Sequence, residues 1–171
     1  MSRFDFKHFS ILQQHAALKV GTDAMLLGSL AQFETNEHLL DIGTGTGVLS
    51  LMMAQRFQFE NITALEIDEN ALKDATINFQ QSPFDSHFQL LNQDFQTFQP
   101  MEMVDAIISN PPYFINSQQN TNTSKARARH TESLSYEELI NGIERCLSPI
   151  GKAWIILPIE SLEEFSNLIQ A

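Results

Sequence analysis

The apolar run Leu39-Leu40-Asp41-Ile42 passes directly into Gly43-Thr44-Gly45-Thr46-Gly47 and from there into the apolar helical pattern Val48–Phe57. A strand that turns on glycines into a helix opens an α/β unit, with a ligand crevice at the strand's carboxyl end. Glycine is needed where backbone takes a positive φ or touches a ligand with no Cβ in the way. A dinucleotide fingerprint would place its third glycine at position 48, which is Val48. Here the glycines fall at every second residue, which disfavours a pyrophosphate-gripping dehydrogenase.

Strand-length and helix-length patterns then alternate. His38–Ile42 is followed by Val48–Phe57, and Ile62–Ile67 by Glu69–Gln80. Phe88–Leu91 and Ala106–Ser109 read as strands, Tyr136–Leu147 as a helix, Ala153–Leu157 as a fifth strand and Ser161–Gln170 as a last helix. Such alternation means a mainly parallel sheet with right-handed crossovers. The Ile11–Phe33 stretch, interrupted at Gly21, reads as a helical N-terminal appendage over residues 1–36, leaving a core of 37–171 in one domain of 171 residues. The polar run Asn116–Thr123 reads as a loop.

The second strand ends at Glu66, about 20 positions after the glycines, where a carboxylate can accept from the vicinal hydroxyls of a ribose. Asp68 and Glu69 read as the N-cap and first turn of the following helix.

Lys and Arg number 10 against 21 Asp and Glu, a net charge of -11. Polyanion binding spread over the whole surface is thereby excluded, and any nucleic acid must be met locally. The single cysteine, Cys146, cannot form an internal disulfide, and the start MSRFDFKHFS lacks a signal-peptide pattern, so a cytoplasmic location is expected. No apolar run approaches the roughly 20 residues of a membrane span. The histidines show no metal-ligand spacing with one another or with Cys146, and no metal is expected.

The fourth strand stops at Asn110-Pro111-Pro112-Tyr113. Two prolines fix φ twice and remove two donors, which leaves carbonyls free to point into a cleft. An amine conjugated to a purine ring is a poor nucleophile, because its lone pair is delocalised. The Asn110 side-chain oxygen and the Pro111 carbonyl can bind its two hydrogens and favour a tetrahedral nitrogen facing an electrophile. Tyr113 would stack on the ring. No strong base is required if the amine loses its proton after attack.

Asp41–Gly47, Glu66, Asp94-Phe95 and Asn110–Tyr113 together resemble the class I S-adenosylmethionine-dependent methyltransferases of the amino-methylating group. Leu18–Gly28 (LKVGTDAMLLG) and Ala128–Leu134 (ARHTESL) further resemble the bacterial valine-tRNA adenine-N6 methyltransferases, which modify the adenine just 3′ of the anticodon. The resemblance implies a Rossmann-like sheet of order 3-2-1-4-5. It also implies that Gly43, Gly45 and Gly47 pass close to the cofactor's methionine and ribose portions, and that Asp41 holds the methionine amino group directly or through water. Glu66 matches the ribose-binding acid, with Ile67 packed on the cofactor's adenine. Asp94 matches the acceptor from the adenine amine, with Phe95 beside it, and Lys19–Asp23 matches a segment closing over the methionine end.

Lys125-Ala126-Arg127-Ala128-Arg129-His130 concentrates cations beyond the Asn-Pro-Pro-Tyr element in an otherwise acidic chain. Such a loop can neutralise a few phosphates at the target nucleotide of a tRNA substrate. A loop or flipped-out adenine suits the chemistry, since a stacked base could not reach a sulfonium. Phe114, beside Tyr113, joins Lys125, Arg127, Arg129 and His130 as a candidate substrate contact. The sequence ends at Ile169-Gln170-Ala171, inside the helix after the fifth strand, so the antiparallel sixth and seventh strands of the class are expected to be missing from a truncated chain. A monomer is expected. Two rival readings stay open: methylation of a protein glutamine amide, which the same acceptors serve, and a catalytically silent module that keeps the cofactor pocket.

Overall fold

A computed structural model describes residues 2–34, 37–111 and 134–170. Within them the alternation becomes a five-stranded parallel sheet. In chain order the elements are strands β1 (Arg3–Asp5) and β2 (Ser10–Leu12), helix α1 (Thr22–Leu30), strand β3 (His38–Ile42), helix α2 (Val48–Phe57), strand β4 (Asn61–Glu66) and helix α3 (Glu69–Gln80). Strands β5 (His87–Asn92) and β6 (Val104–Ser109), helix α4 (Tyr136–Cys146), strand β7 (Leu147–Ile155) and helix α5 (Leu162–Ile169) follow. Pro112, Tyr113, Phe114, Lys125, Arg127, Arg129 and His130, with the polar run 116–123, lie outside the described residues.

The sheet order is β5-β4-β3-β6-β7, the expected 3-2-1-4-5 in the order of the parallel strands. The chain enters at the centre, steps outward through β4 to β5, and resumes on the other side of β3. That reversal opens a crevice at the carboxyl ends of β3 and β6. β3 is covered on both faces. Leu39 packs with Leu49, Met53, Ile62, Ala106 and Ile108. Leu40 and Ile42 pack with Leu65, Ile107, Leu139 and Phe165. A period of two inside a continuous apolar run is how a strand buried by helices on both sides reads.

The N-terminal appendage is not all helix. Residues 3–12 form an antiparallel hairpin of β1 and β2, with Arg3 opposite Leu12, and only Thr22–Leu30 is helical. The alternation of Phe4, Phe6, Phe9 and Ile11 with polar neighbours carries this strand period, and the helical spacing further on masks it. The hairpin is also no separate layer, because Phe9 and Ile11 belong to the same apolar cluster as Leu39 and Leu49. β7 begins at Leu147, ahead of the expected Ala153. Val104 pairs with Leu147 and Ala106 with Lys152, so Pro149 and Gly151 sit in an irregularity of the strand.

Two arginines serve as internal clamps. Arg56 of α2 donates Nη1 to the Gly28 and Ala31 carbonyls at 2.7 and 2.8 Å, which ends α1. Arg145 of α4 donates Nε to the Phe98 carbonyl at 3.0 Å and Nη2 to that of Phe95 at 2.8 Å, tying the loop after β5 to α4.

Candidate active site

After Ile42 the chain turns over the sheet edge into α2. Gly45 and Gly47 take φ of +58° and +83°, a region that costs an L side chain roughly 1–2 kcal/mol. Their surroundings differ. A Cβ on Gly47 would lie 2.5 Å from the Phe79 ring of α3, whereas one on Gly45 would meet nothing within 4 Å. Gly47, expected beside a ligand, is where the Phe79 ring of α3 packs on the turn that opens α2. Gly43 and Gly45 face open space.

That space is a cavity of about 420 Å³. Its walls are Gly43, Thr44, Gly45 and Thr46 of the loop, residues 18–21 with Asp23 and Ala24, Val48 and Leu49 at the start of α2, and Asn110 with Pro111 after β6. Lys19 of the N-terminal segment and Asn110 of the Asn-Pro-Pro element are thus brought to one cavity. A buried hydroxyl sets the placement of Asn110 beside the loop: Ser109 Oγ donates to the Ile42 carbonyl at 2.9 Å, so the ends of β6 and β3 are tied just where Asn110 and Gly43 begin.

Glu66 is half-buried at the end of β4. Its Oε2 accepts the Gly45 N–H at 2.8 Å, and its Oε1 accepts the N–H groups of Ile67 and Asp68, each at 2.9 Å. A carboxylate has about four acceptor positions, so these three bonds leave room for a further donor on Oε2. Glu66 does not itself line the cavity. Gly45 joins the two, since it lines the cavity and is held by Glu66. Ile67 is 52% exposed at the same sheet edge. Asp68 caps α3, as its position predicts, accepting from Asn70 and Ala71.

Asp94 follows β5, which pairs Asn92 with Glu66. It is exposed, and its Oδ1 accepts the Gln96 N–H at 2.9 Å. Phe95 departs from expectation. Its ring is 4% exposed and packs in the core against Gly142, where a Cβ would collide with it. Its side chain therefore anchors the loop on α4 and lines no part of the cavity, because an apolar ring gains more from full burial than from a half-open edge.

Asp41 lies beneath the loop, fully buried. Its Oδ2 accepts from Thr44 Oγ1 at 2.7 Å, Ser50 Oγ at 2.7 Å and Ser50 N at 3.1 Å, while Oδ1 has no hydrogen-bond partner. Burial pushes its pKa from an ordinary 3.8 up to about 6, against the opposing bonds from Thr44 and Ser50 and with the Glu66 carboxylate adding to the rise. Between these two values the folded protein keeps a proton that the unfolded chain has released. Stability therefore falls as pH rises through that window, by about 3 kcal/mol for this one group. Denaturant unfolding of wild type and Asp41→Asn from pH 4 to 7 checks this. The difference between them should shift in the variant's favour as pH rises, and a pH-independent difference would refute the assignment.

Thr44 and Ser50 are hydrogen-bonding neighbours of Asp41 that motif spacing does not reveal. The one available signal is Ser50 itself, a polar residue inside the apolar run Val48–Met53. Among the described residues no three His, Cys, Asp or Glu side chains cluster as a metal site. Nor is any helix among them long and apolar enough to cross a membrane.

The methyltransferase small domain family model matches residues 14–163. A Vibrio vulnificus protein named tRNA1(Val) (adenine(37)-N6)-methyltransferase is 43% identical over 167 residues, 98% of this chain and 70% of that protein. A Bacteroides fragilis protein of the same name is 39% identical over 168 residues, 96% of this chain and 70% of its own length. Among solved structures, a predicted O-methyltransferase from Agrobacterium tumefaciens superposes with a TM-score of 0.65 at 20% identity, covering 86% of this chain and 66% of that one. TrmN from Thermus thermophilus gives a TM-score of 0.60 at 23% identity, covering 85% of this chain and 40% of that one. At these identities the structural matches speak for the fold.

Proposed function

The chain belongs to the methyltransferase small domain family and is an S-adenosylmethionine-dependent methyltransferase; from that premise we propose that its acceptor is the N6 amine of an adenine in tRNA, next to the anticodon of tRNA(Val). The observation that carries this reading is the meeting of Asn110 and Pro111 with Gly43 and Gly45 in one cavity.

The residues present fit the cofactor. Open backbone at Gly43 and Gly45 leaves space that a Cβ would fill. The unpartnered Oδ1 of Asp41 behind the loop suits a nearby cationic group such as the methionine ammonium. Glu66 and Ile67 would hold the ribose and adenine portions, with Asp94 at the adenine amine. Lys19, which lines the cavity, would begin the segment that closes over the methionine end. Bound in this cavity, S-adenosylmethionine supplies an electrophilic methyl group on a sulfonium.

Asn110 and Pro111 supply acceptors for the two hydrogens of the incoming amine. Holding both hydrogens turns the nitrogen's lone pair out of conjugation and fixes its direction. The walls need supply no base, because a methylated ammonium on a purine is acidic enough to lose its proton to water. Pro112 and Tyr113 would complete this element, with Tyr113 stacked on the base.

The curated relatives are named for this acceptor, and this chain spans 70% of their length. Charge supports the same reading: Lys125, Arg127, Arg129 and His130 gather cations in a chain of net charge -11, and with Phe114 they would meet the target nucleotide. A tRNA acceptor supports a cytoplasmic site of action.

Incubation of the protein with labelled S-adenosylmethionine and either total tRNA or total protein, followed by nucleoside analysis, tests the proposal. Label should appear in tRNA as N6-methyladenosine. Label in protein alone, the outcome expected of a glutamine methyltransferase, or label nowhere, as for a silent module, rejects it.

A further inference from the structure

The cavity has one wall continuous with the sheet and one wall that is tethered. Gly43–Thr46 continues β3, whereas residues 13–21 carry no regular secondary structure before α1. A polar pair on α3 holds that stretch. The buried residues of this helix are Ala71, Asp74, Ala75 and Asn78, the spacing of a single helical face. Two of the four are polar, on a face that the two alanines show can be covered by methyl groups.

Asp74 Oδ2 accepts the N–H groups of His15 and Ala16 at 2.8 and 2.9 Å, and its Oδ1 lies 2.7 Å from His15 Nδ1. One turn later, Asn78 Oδ1 accepts the Leu12 N–H at 2.7 Å. Its Nδ2 donates to the Leu12 carbonyl at 2.9 Å and to the Thr46 carbonyl at 2.8 Å. Gln13 Oε1 then accepts the Val20 N–H at 2.9 Å and closes the segment on itself. Asn78 is thereby bonded to both sides: to Thr46, which lines the cavity, and to Leu12, from which the chain runs on to the opposite wall at residues 18–21. Neither Asp74 nor Asn78 lines the cavity. Buried polar groups with every bond made specify a single arrangement, where apolar neighbours would permit sliding.

We propose that Asp74 and Asn78 are positioning residues for S-adenosylmethionine: acting through residues 12–20 and through Thr46, they set the separation of the two cavity walls. This rests on the reading that the cavity takes that cofactor. The pair controls cofactor affinity without touching the cofactor.

Calorimetric titration of S-adenosylmethionine into the whole chain tests this with wild type, Asn78→Asp and Asp74→Asn. Asn78→Asp keeps the acceptor for Leu12 and loses both donated bonds; Asp74→Asn keeps the shape and loses the charge. Each should raise Kd about tenfold, since buried groups stranded without their partners let the tethered wall shift. The KM for cofactor should rise in parallel, while kcat at saturating cofactor stays within about threefold. Amide hydrogen exchange of the ligand-free variants should quicken at residues 13–24 relative to wild type. His15→Ala, which removes only a half-exposed ring from Asp74, is the mild variant, with an expected rise in Kd of about threefold. Variants that unfold cooperatively yet bind like wild type overturn the proposal and leave the pair a role in stability alone. Should the two isosteric variants not fold, an unchanged Kd in His15→Ala overturns it equally. A wild type that does not bind S-adenosylmethionine overturns instead the cofactor reading beneath it.

Discussion

Asn110→Ala is expected to lower kcat for methyl transfer by about 10²–10³, the usual consequence of removing one preorganised hydrogen-bonding group from a transition state. Affinity for S-adenosylmethionine should stay within about twofold, because the lost interaction belongs to the acceptor and not to the cofactor. The split follows from where Asn110 stands. The Ser109 hydroxyl fastens the end of β6 to Ile42, and that anchor survives when the next side chain is truncated. Single-turnover kinetics with tRNA, beside calorimetric titration of the cofactor, reads both quantities. A large loss of cofactor affinity would move Asn110 into the cofactor's own site. An unchanged kcat would mean that the amine is not held there.

The second large effect distinguishes two glycines of one loop. Gly45→Ala places a methyl group in the open cavity and should weaken cofactor binding by about ten- to a hundredfold, the scale on which a pocket responds to one misplaced methylene. Its stability should fall by only the roughly 1–2 kcal/mol of left-handed backbone strain. Gly47→Ala adds to that strain a collision with Phe79, for a total loss of about 2–5 kcal/mol. Thermal unfolding and cofactor titration on both variants should therefore rank them in opposite orders. Equal cofactor affinity for Gly45→Ala and wild type would show that the ligand does not sit against this loop.

The sheet was legible because its strands are short apolar runs ended by glycine, proline or a cap, and the glycine loop stands between the first strand and its helix in plain sequence. The hairpin was not, since four aromatic and aliphatic residues in alternation are too few to outweigh the longer helical pattern that follows. Phe95 was misplaced for another reason: its neighbour Asp94 is exposed, and only Gly142, 47 positions later, explains why the ring turns inward. Asp74 and Asn78 belong to no motif of the sequence. Their partners His15 and Leu12 lie 59 and 66 residues earlier, beyond the reach of any local pattern.

The grip of Glu66 on the Gly45 amide joins two chain segments, one from each of two neighbouring strands, before any visitor arrives. On the proposed reading, a nucleoside docking at that edge would meet a receptor whose shape was settled when the polypeptide folded. The entropy of immobilising the backbone there is charged to folding, and recognition on that side resembles a key entering a lock already cut.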